Sequence, residues 1–217
     1  MRVVGLWRYP VKGLLGESLD EAHLDARGLV GDRWWAVVGA DGKIGSGKTT
    51  RRFRRMPNLF TMSSRTEADD VVVGVGEWEG SVRDPETARR VSDVVGEPVT
   101  LEQESSIRHH DEGGLHVVTT ATMRLLDDVD ARRLRPNIVL DVDGAQPVED
   151  SWIGQELAFG DVTLKATSPM PRCVMVTLPQ SDLDFEPSLL STIEDRFGGY
   201  VGVVAEVVRP GVLRAGR

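Results

Sequence analysis

The 217-residue chain contains one cysteine, Cys173. A lone thiol closes no internal disulfide, so the cross-linked scaffolds of small secreted proteins are excluded. No apolar run approaches the ~20 residues that a membrane-spanning helix needs, so no membrane partner is expected. The opening MRVVGLWRYPVKG reaches Lys12 without a long apolar segment and does not read as a signal peptide. A cytoplasmic location is the default expectation. Positive charge is also scarce: 26 Lys and Arg stand against 34 Asp and Glu, a formal net charge of −8. That balance argues against nucleic acid as a partner, because phosphate-backbone binding draws its affinity from clustered cations. One basic run, Arg51, Arg52, Arg54 and Arg55, is the local exception; it can hold an anion or simply face solvent. Internal repeats and low-complexity linkers are missing as well.

What is present suits a soluble fold with a substantial core, as one large domain or two small ones. Short β-branched and aromatic runs dominate. Strands are expected at Arg2–Trp7, Trp34–Val38, Val71–Val75, Val99–Glu102, Asn137–Asp143, Glu156–Phe159, Val162–Ala166, Val174–Leu178 and Gly202–Val208. Asp41-Gly42 reads as a type I′ hairpin turn and Gly160-Asp161 as a second tight hairpin. Helices are fewer. Asp84–Gly96 has an Asp N-cap, Pro at the first helical position and Gly at its end; Thr120–Val129 and Pro187–Phe197 are the others. The expected class is therefore mainly β with a few helices (α+β), without the regular strand–helix alternation of a doubly wound sheet. Arg108–Gly114 (RHHDEGG) reads as an exposed loop, and a boundary before it divides the chain into 1–95 and 96–217.

Several motifs carry possible chemistry. Gly42–Thr49, GKIGSGKT, satisfies the phosphate-loop pattern, in which backbone N–H groups and a downstream helix cradle phosphates. The next segment does not fit, since TRRFRRMP has four arginines and a proline and makes a poor buried helix. A flexible Gly-rich loop is the better reading, with Lys48 and the arginines near an anionic ligand. His109, His110 and His116 lack a further His/Cys cluster that would complete a zinc site. Paired carboxylates are too common in so acidic a chain to signal acid–base chemistry. Cys173 differs in context: it comes directly after Pro171-Arg172, and a cationic neighbour favours the thiolate, the form that binds metals and attacks electrophiles. A small buried core cysteine is the alternative.

Six segments in order then assemble into a likeness: YPVKG (Tyr9–Gly13), GLVGDRWWAVVGADGK (Gly28–Lys43), RPNIVLD (Arg135–Asp141), EDSWIGQELAFGDVTLKA (Glu149–Ala166), PRC (Pro171–Cys173) and FGGY (Phe197–Tyr200). Together they cover nearly the whole chain and resemble the MOSC proteins, named for the C-terminal domain of molybdenum-cofactor sulfurase. The branch most resembled contains the amidoxime-reducing molybdenum enzymes. The resemblance implies an N-terminal MOSC-associated β-barrel-like domain (1–95) and a MOSC β-barrel domain (96–217), with a molybdopterin held in a positively lined cleft. It implies that Cys173 is the molybdenum ligand and the catalytic thiolate. It further implies that Lys12, Arg33, Thr119, Thr120, Arg135, Asn137, Arg172 and Tyr200 bind the cofactor. The family's wider association with pyridoxal phosphate comes with it. A helix start near Thr120 would offer free N–H groups to a phosphate. Gly13 departs from the serine usual after the YPVK lysine, removing one hydroxyl contact. Some relatives append an iron–sulfur domain, which one cysteine excludes within this chain. The expected activity is therefore reduction of small N-hydroxylated molecules with electrons from a separate donor protein. Two alternatives remain open: a sulfur carrier or cofactor-binding protein using a Cys173 persulfide, and a nucleotide-binding protein built on GKIGSGKT.

Overall fold

Strands form where β-branched residues cluster, and they form in most of the expected places. The computed structural model describes residues 1–56, 58–106, 108–144 and 146–216; Pro57, noted in the basic segment, lies outside the described residues. A seven-stranded sheet runs in the order Glu156–Phe159, Val162–Pro171, Tyr200–Arg209, Leu115–Thr119, Ile138–Asp141, Arg2–Arg8 and Glu17–Ser18. Leu115–Thr119 and Ile138–Asp141 pair parallel, and the other neighbours in this sheet pair antiparallel. Both faces of its centre are covered. Val117, Ile138 and Leu140 enter one core with Leu6 and Leu164, while Val118 and Val139 point into another with Leu134, Leu189 and Ile193. Successive side chains of a strand face opposite ways, so a one-residue slip would exchange the two sets. Each of these fully buried aliphatic side chains contributes roughly 1.5–3 kcal/mol, which holds the register.

A second sheet orders Val99–Gln103, Trp35–Gly39, Ile44–Ser46 and Phe53–Arg55, with Val11–Lys12 parallel to Trp35–Gly39. It shares a core with a three-stranded sheet of Met62–Glu67, Asp70–Val75 and Trp78–Ser81, through Val37, Met62 and Val73. Glu21–Asp25, Gly28–Leu29 and Gly211–Arg214 make a further three-stranded sheet. The first strand of the chain thus lies in the seven-stranded sheet, while the segment after it crosses to the second one.

The α-helices among the described residues are α1 (Pro85–Val95), α2 (Thr120–Arg124), α3 (Ala131–Leu134) and α4 (Ser188–Phe197). The Asp84 side chain accepts the Glu86 N–H at the start of α1, and Gly96 closes it at φ 83°, as the capping residues predict. The helix expected over Thr120–Val129 is shorter. Asp127 and Asp128 adopt φ of 57° and 55°, which ends α2 early, and Asp130 caps a separate α3. Val174–Thr177 is a short 3₁₀ turn instead of a strand. Val176 is fully buried in the core that α4 helps to form, while Val174 is exposed.

The GKIGSGKT pattern does not fold as a phosphate loop, in keeping with the misfit of its sequel. Ile44–Ser46 is a strand, and Phe53–Arg55 forms another strand where the pattern requires a helix. The Asp41-Gly42 turn is tight, but of its two residues only Gly42 takes positive φ (72°), so it is not the type I′ turn expected. Gly160-Asp161 does form a two-residue hairpin between paired Phe159 and Val162, with φ 60° at Gly160. No helix among the described residues is long and apolar enough to cross a membrane.

Candidate functional site

A cleft opens where the two large sheets meet. Lys12, Arg33 and Lys48 reach it from the N-terminal side, and Asp111, Arg135, Asn137, Arg172 and Cys173 from the other. Its floor is built by backbone pairing. Asn137 accepts the His116 N–H through Oδ1 at 3.0 Å, and its amide donates to the Trp7 carbonyl at 3.2 Å. Asn137 therefore ties three strands together at the base of the cleft.

Arg135 ends α3 in the left-handed conformation, with φ 52°. That turn sends its side chain inward, where one guanidinium nitrogen donates to the Leu14 carbonyl at 2.7 Å. The guanidinium lies 4.2 Å from the Tyr9 ring centroid, and the Arg33 guanidinium lies 4.7 Å from the same ring. The aromatic face lowers the cost of holding two like charges close together. Burial pulls the Arg135 pKa down to about 10, so it remains charged at neutral pH, and its Nη1 has no partner among the described residues. Arg172 behaves alike: it donates to the Leu134 carbonyl at 2.7 Å, burial lowers its pKa to about 10, and its Nε has no partner among the described residues. Buried N–H groups without acceptors are costly. Two such groups, on two arginines of one cleft, describe a place for an anion.

Lys12 is buried beside the Phe53 ring, 4.6 Å from its centroid, and donates to Asp111 at 2.8 Å. Burial lowers its pKa to about 8, opposed by the Asp111 carboxylate. Arg33 pairs with the fully buried Asp32, whose other oxygen accepts the Tyr9 N–H at 2.8 Å. Lys48 comes from the GSGK segment, which places this loop beside a cationic cleft. Gly47 has a packing role there: a Cβ on it would meet Met175 Cγ at 2.7 Å and Leu178 Cδ1 at 3.0 Å. The close approach packs the Gly47 backbone against the segment bearing Cys173.

Cys173 is a free, partly exposed thiol at the head of the 3₁₀ turn. Arg172, next to it, is stabilised in its charged form by Cys173. The inert buried core alternative is therefore not what the structure shows.

Three residues of the expected set are not in this cleft. Thr119 is fully buried and caps α2, its hydroxyl accepting the Thr122 N–H at 3.1 Å. Thr120 bonds to Asp141 at 3.2 Å. The start of this helix is already occupied in part: the Thr119 hydroxyl takes the Thr122 N–H, and the Glu149 carboxylate lies against it. That carboxylate accepts the Thr119 N–H at 2.9 Å and the Thr122 hydroxyl at 2.7 Å. Tyr200 is exposed and lines a separate hollow with Glu149 and Arg196.

Two further residues were missed by sequence reasoning. The Arg108–Gly114 segment is a loop with Arg108, Asp111 and Glu112 exposed, as expected, but His109 and His110 turn inward and are only 6% and 7% exposed. His109 N–H donates to Glu104 at 2.9 Å, and His110 Nε2 lies 3.3 Å from the Asp32 carboxylate. Together with Asp111, His110 forms one wall of the cleft. A polar, Gly-containing composition gave no sign of the inward turn; the neighbouring carboxylates Asp32 and Glu104 create it.

Residues 1–105 match the MOSC N-terminal beta barrel domain and residues 95–217 match the MOSC domain. The chain belongs to the MOSC family. It is similar to mitochondrial amidoxime-reducing component 1 of Mus musculus, 24% identical over 247 residues, covering 88% of this chain and 70% of that protein. The Homo sapiens component 1 is 25% identical over 231 residues, covering 81% and 66%. The chain thus spans about two thirds of the length of these relatives. In fold it is similar to the YUAD protein of Bacillus subtilis, with a TM-score of 0.54, 15% identity, and coverage of 99% and 91%.

Proposed function

We propose that the chain is a molybdenum-cofactor-binding oxidoreductase that reduces small N-hydroxylated molecules, with electrons from a separate donor protein. The observation that carries this reading is the convergence of Lys12, Arg33, Lys48, Arg135 and Arg172 on the cleft that also holds the chain's single thiol. The residues suit the cofactor: Arg135 and Arg172 each have a buried N–H in need of an acceptor, and guanidinium groups bind phosphate oxygens with directional, charge-assisted bonds. A thiolate is a soft ligand of the kind that such a metal takes. The MOSC family membership and the named relatives support the same class.

When bound, the cofactor supplies two-electron oxygen-atom-transfer chemistry. The chain's own residues bind and orient it. Arg135, Arg172, Lys12 and Lys48 would hold the phosphate, and Cys173 would hold the metal. Arg33, braced by Asp32, keeps the cationic field in place, and Asn137 keeps the floor in register. The test is metal and pterin analysis of protein made in a molybdenum-replete host, beside Cys173→Ser. Molybdenum in the wild type, and its loss with activity in a folded Cys173→Ser, is expected. Metal-free wild-type protein would sink the proposal. The partly exposed thiol beside Arg172 also suits a sulfur carrier. A mass increase of about 32 Da on Cys173, roughly one sulfur atom, would favour that second reading.

A further inference from the structure

Breaking the N–O bond of an N-hydroxylated molecule takes two electrons and two protons. One proton makes water of the departing hydroxyl, and the other replaces it on nitrogen; solvent supplies both. The electrons come from a reduced donor protein, which is oxidised. The chain's single cysteine cannot hold an iron–sulfur cluster, so on the reductase reading these electrons enter across the protein surface. The entry point has to lie close to Cys173 and leave the cleft open to substrate.

One surface meets both conditions. Cys173 heads the Val174–Thr177 turn, and Val174 is 39% exposed. Beyond the turn, the Asp182–Glu186 loop lies outside the cleft lining, and the Phe185 ring is left 59% exposed. This loop is pinned to the turn. The Thr177 carbonyl accepts the Glu186 N–H at 2.9 Å, and the Arg133 guanidinium donates to the Asp184 carbonyl at 2.6 Å and the Leu178 carbonyl at 3.4 Å. Within the turn, the Cys173 carbonyl accepts the Val176 N–H at 3.1 Å. Covalent and hydrogen-bonded steps therefore run from Cys173 through Val176, Thr177 and Glu186 to Phe185. Electrons cross protein more readily along such a route than through space. Charge marks the same surface. From Cys173 through Asp195 the chain has five carboxylates, Asp182, Asp184, Glu186, Glu194 and Asp195, all exposed, and no Lys or Arg. Cations reach this stretch only from α3: Arg132 pairs with Asp182 at 2.6 Å, and Arg133 is spent on the backbone carbonyls. Carboxylates around an apolar contact fit a partner with a basic face, and such complementarity chiefly speeds encounter. Redox encounters bury roughly less than 1,200 Å² in total, so a patch of this extent is enough.

We propose that Val174 and the Asp182–Glu186 loop form the docking surface for the electron donor, a redox protein with a basic face around a one-electron centre. This rests on the reductase reading. Two successive encounters deliver the two electrons, each oxidising one donor centre by one electron. Phe185 makes the apolar contact, and the carboxylates steer the approach.

Cytochrome c, a basic protein with a one-electron haem, serves as the probe, because electrons leave a reduced holoenzyme by the route along which they enter. Holoenzyme reduced with dithionite and freed of the excess is mixed with ferricytochrome c in stopped flow. The wild-type second-order rate should fall steeply as salt rises. The double variant Asp184→Lys/Glu186→Lys should lower it by about tenfold at low salt, the modest end of electrostatic steering, and flatten the salt dependence. Phe185→Ala should lower it at every salt concentration. Asp69→Lys, on the Met62–Val75 hairpin, should behave as wild type. Benzamidoxime reduction driven by methyl viologen radical, which needs no protein docking, should be unchanged in all of these variants. Loop variants with wild-type rates, or a wild-type rate indifferent to salt, would overturn the assignment. Amide NMR of the protein as purified, titrated with ferrocytochrome c, gives a readout that needs no metal. Shifts confined to Val174–Thr177 and Asp182–Glu186 support the surface; shifts elsewhere, or none, overturn it. Loss of the same signals on concentrating the protein alone would make the partner a second copy of this chain and overturn the donor assignment. A molybdenum-free wild type would instead defeat the reductase reading, and the NMR result would still decide the docking surface.

Discussion

The Lys12 ammonium and the Asp111 carboxylate, 99 residues apart in sequence, meet at 2.8 Å inside the cationic cleft. Asp111 therefore occupies the lysine that an anionic ligand would use. Replacing it by Asn should tighten binding of inorganic pyrophosphate by about tenfold, the worth of roughly 1.4 kcal/mol of competing charge. Lys12→Met should weaken binding by a similar factor. Because Lys12 loses its proton near pH 8, wild-type affinity should fall as pH rises through that value. Calorimetric titration between about pH 6.5 and 9.5 spans that titration and checks all three.

Asp32 makes stability depend on acid. Its folded carboxyl is held well below the ordinary value of 3.8: burial alone would raise it, and Arg33, His110 and the Tyr9 N–H outweigh that. A carboxylate with a depressed pKa contributes stability that is present above its unfolded value and lost as pH falls below it. Wild-type unfolding free energy should therefore drop between about pH 5 and pH 2, while Asp32→Asn should be less stable at about pH 7 and flatter through the acid range. Urea denaturation at a series of pH values measures both curves.

Glu149 is the internal anion of α2. Replacing it with Ala leaves the Thr119 N–H and the Thr122 hydroxyl buried without acceptors, at a cost of about 2–4 kcal/mol. The loss should appear in the denaturation midpoint. Thr120→Ala should leave pyrophosphate affinity unchanged, since that helix start lies outside the cleft. A large drop in affinity for Thr120→Ala would contradict the geometry.

Gly47 allows the basic loop to approach the Cys173 segment. Gly47→Ala should destabilise by about 1–3 kcal/mol through overpacking against Met175, and change the rate at which a thiol reagent labels Cys173. Met175→Ala in the same chain should recover part of that loss. A double-mutant cycle in unfolding free energy reads the coupling.

Much of the local structure was legible. The Asp84 and Gly96 caps of α1 and the Gly160-Asp161 hairpin were readable because their signals act within a few residues. The β-branched runs likewise predicted most strands. The cleft was legible only through ordered motifs, which brought Lys12, Arg33, Arg135, Asn137, Arg172 and Cys173 together. The same reasoning put Thr119, Thr120 and Tyr200 beside them, because a motif records order along the chain and says little about which side of a sheet a residue faces. Val174–Thr177 misled for a related reason: β-branched residues prefer any well-packed surface, and for Val176 that surface is the core that α4 helps to form.

By itself, then, the sequence determined the mainly β class, most of the turns and caps, and the presence of a single thiol beside an arginine. Tertiary structure decided that His109 and His110 turn inward, that Glu149 bonds to the start of α2, and that five cations line the cleft that holds Cys173. The physical reason is range. Backbone preference is set by neighbours a few residues away, whereas burial and charge pairing are set by whatever the fold brings near, as Asp32 is brought to His110 across 78 residues.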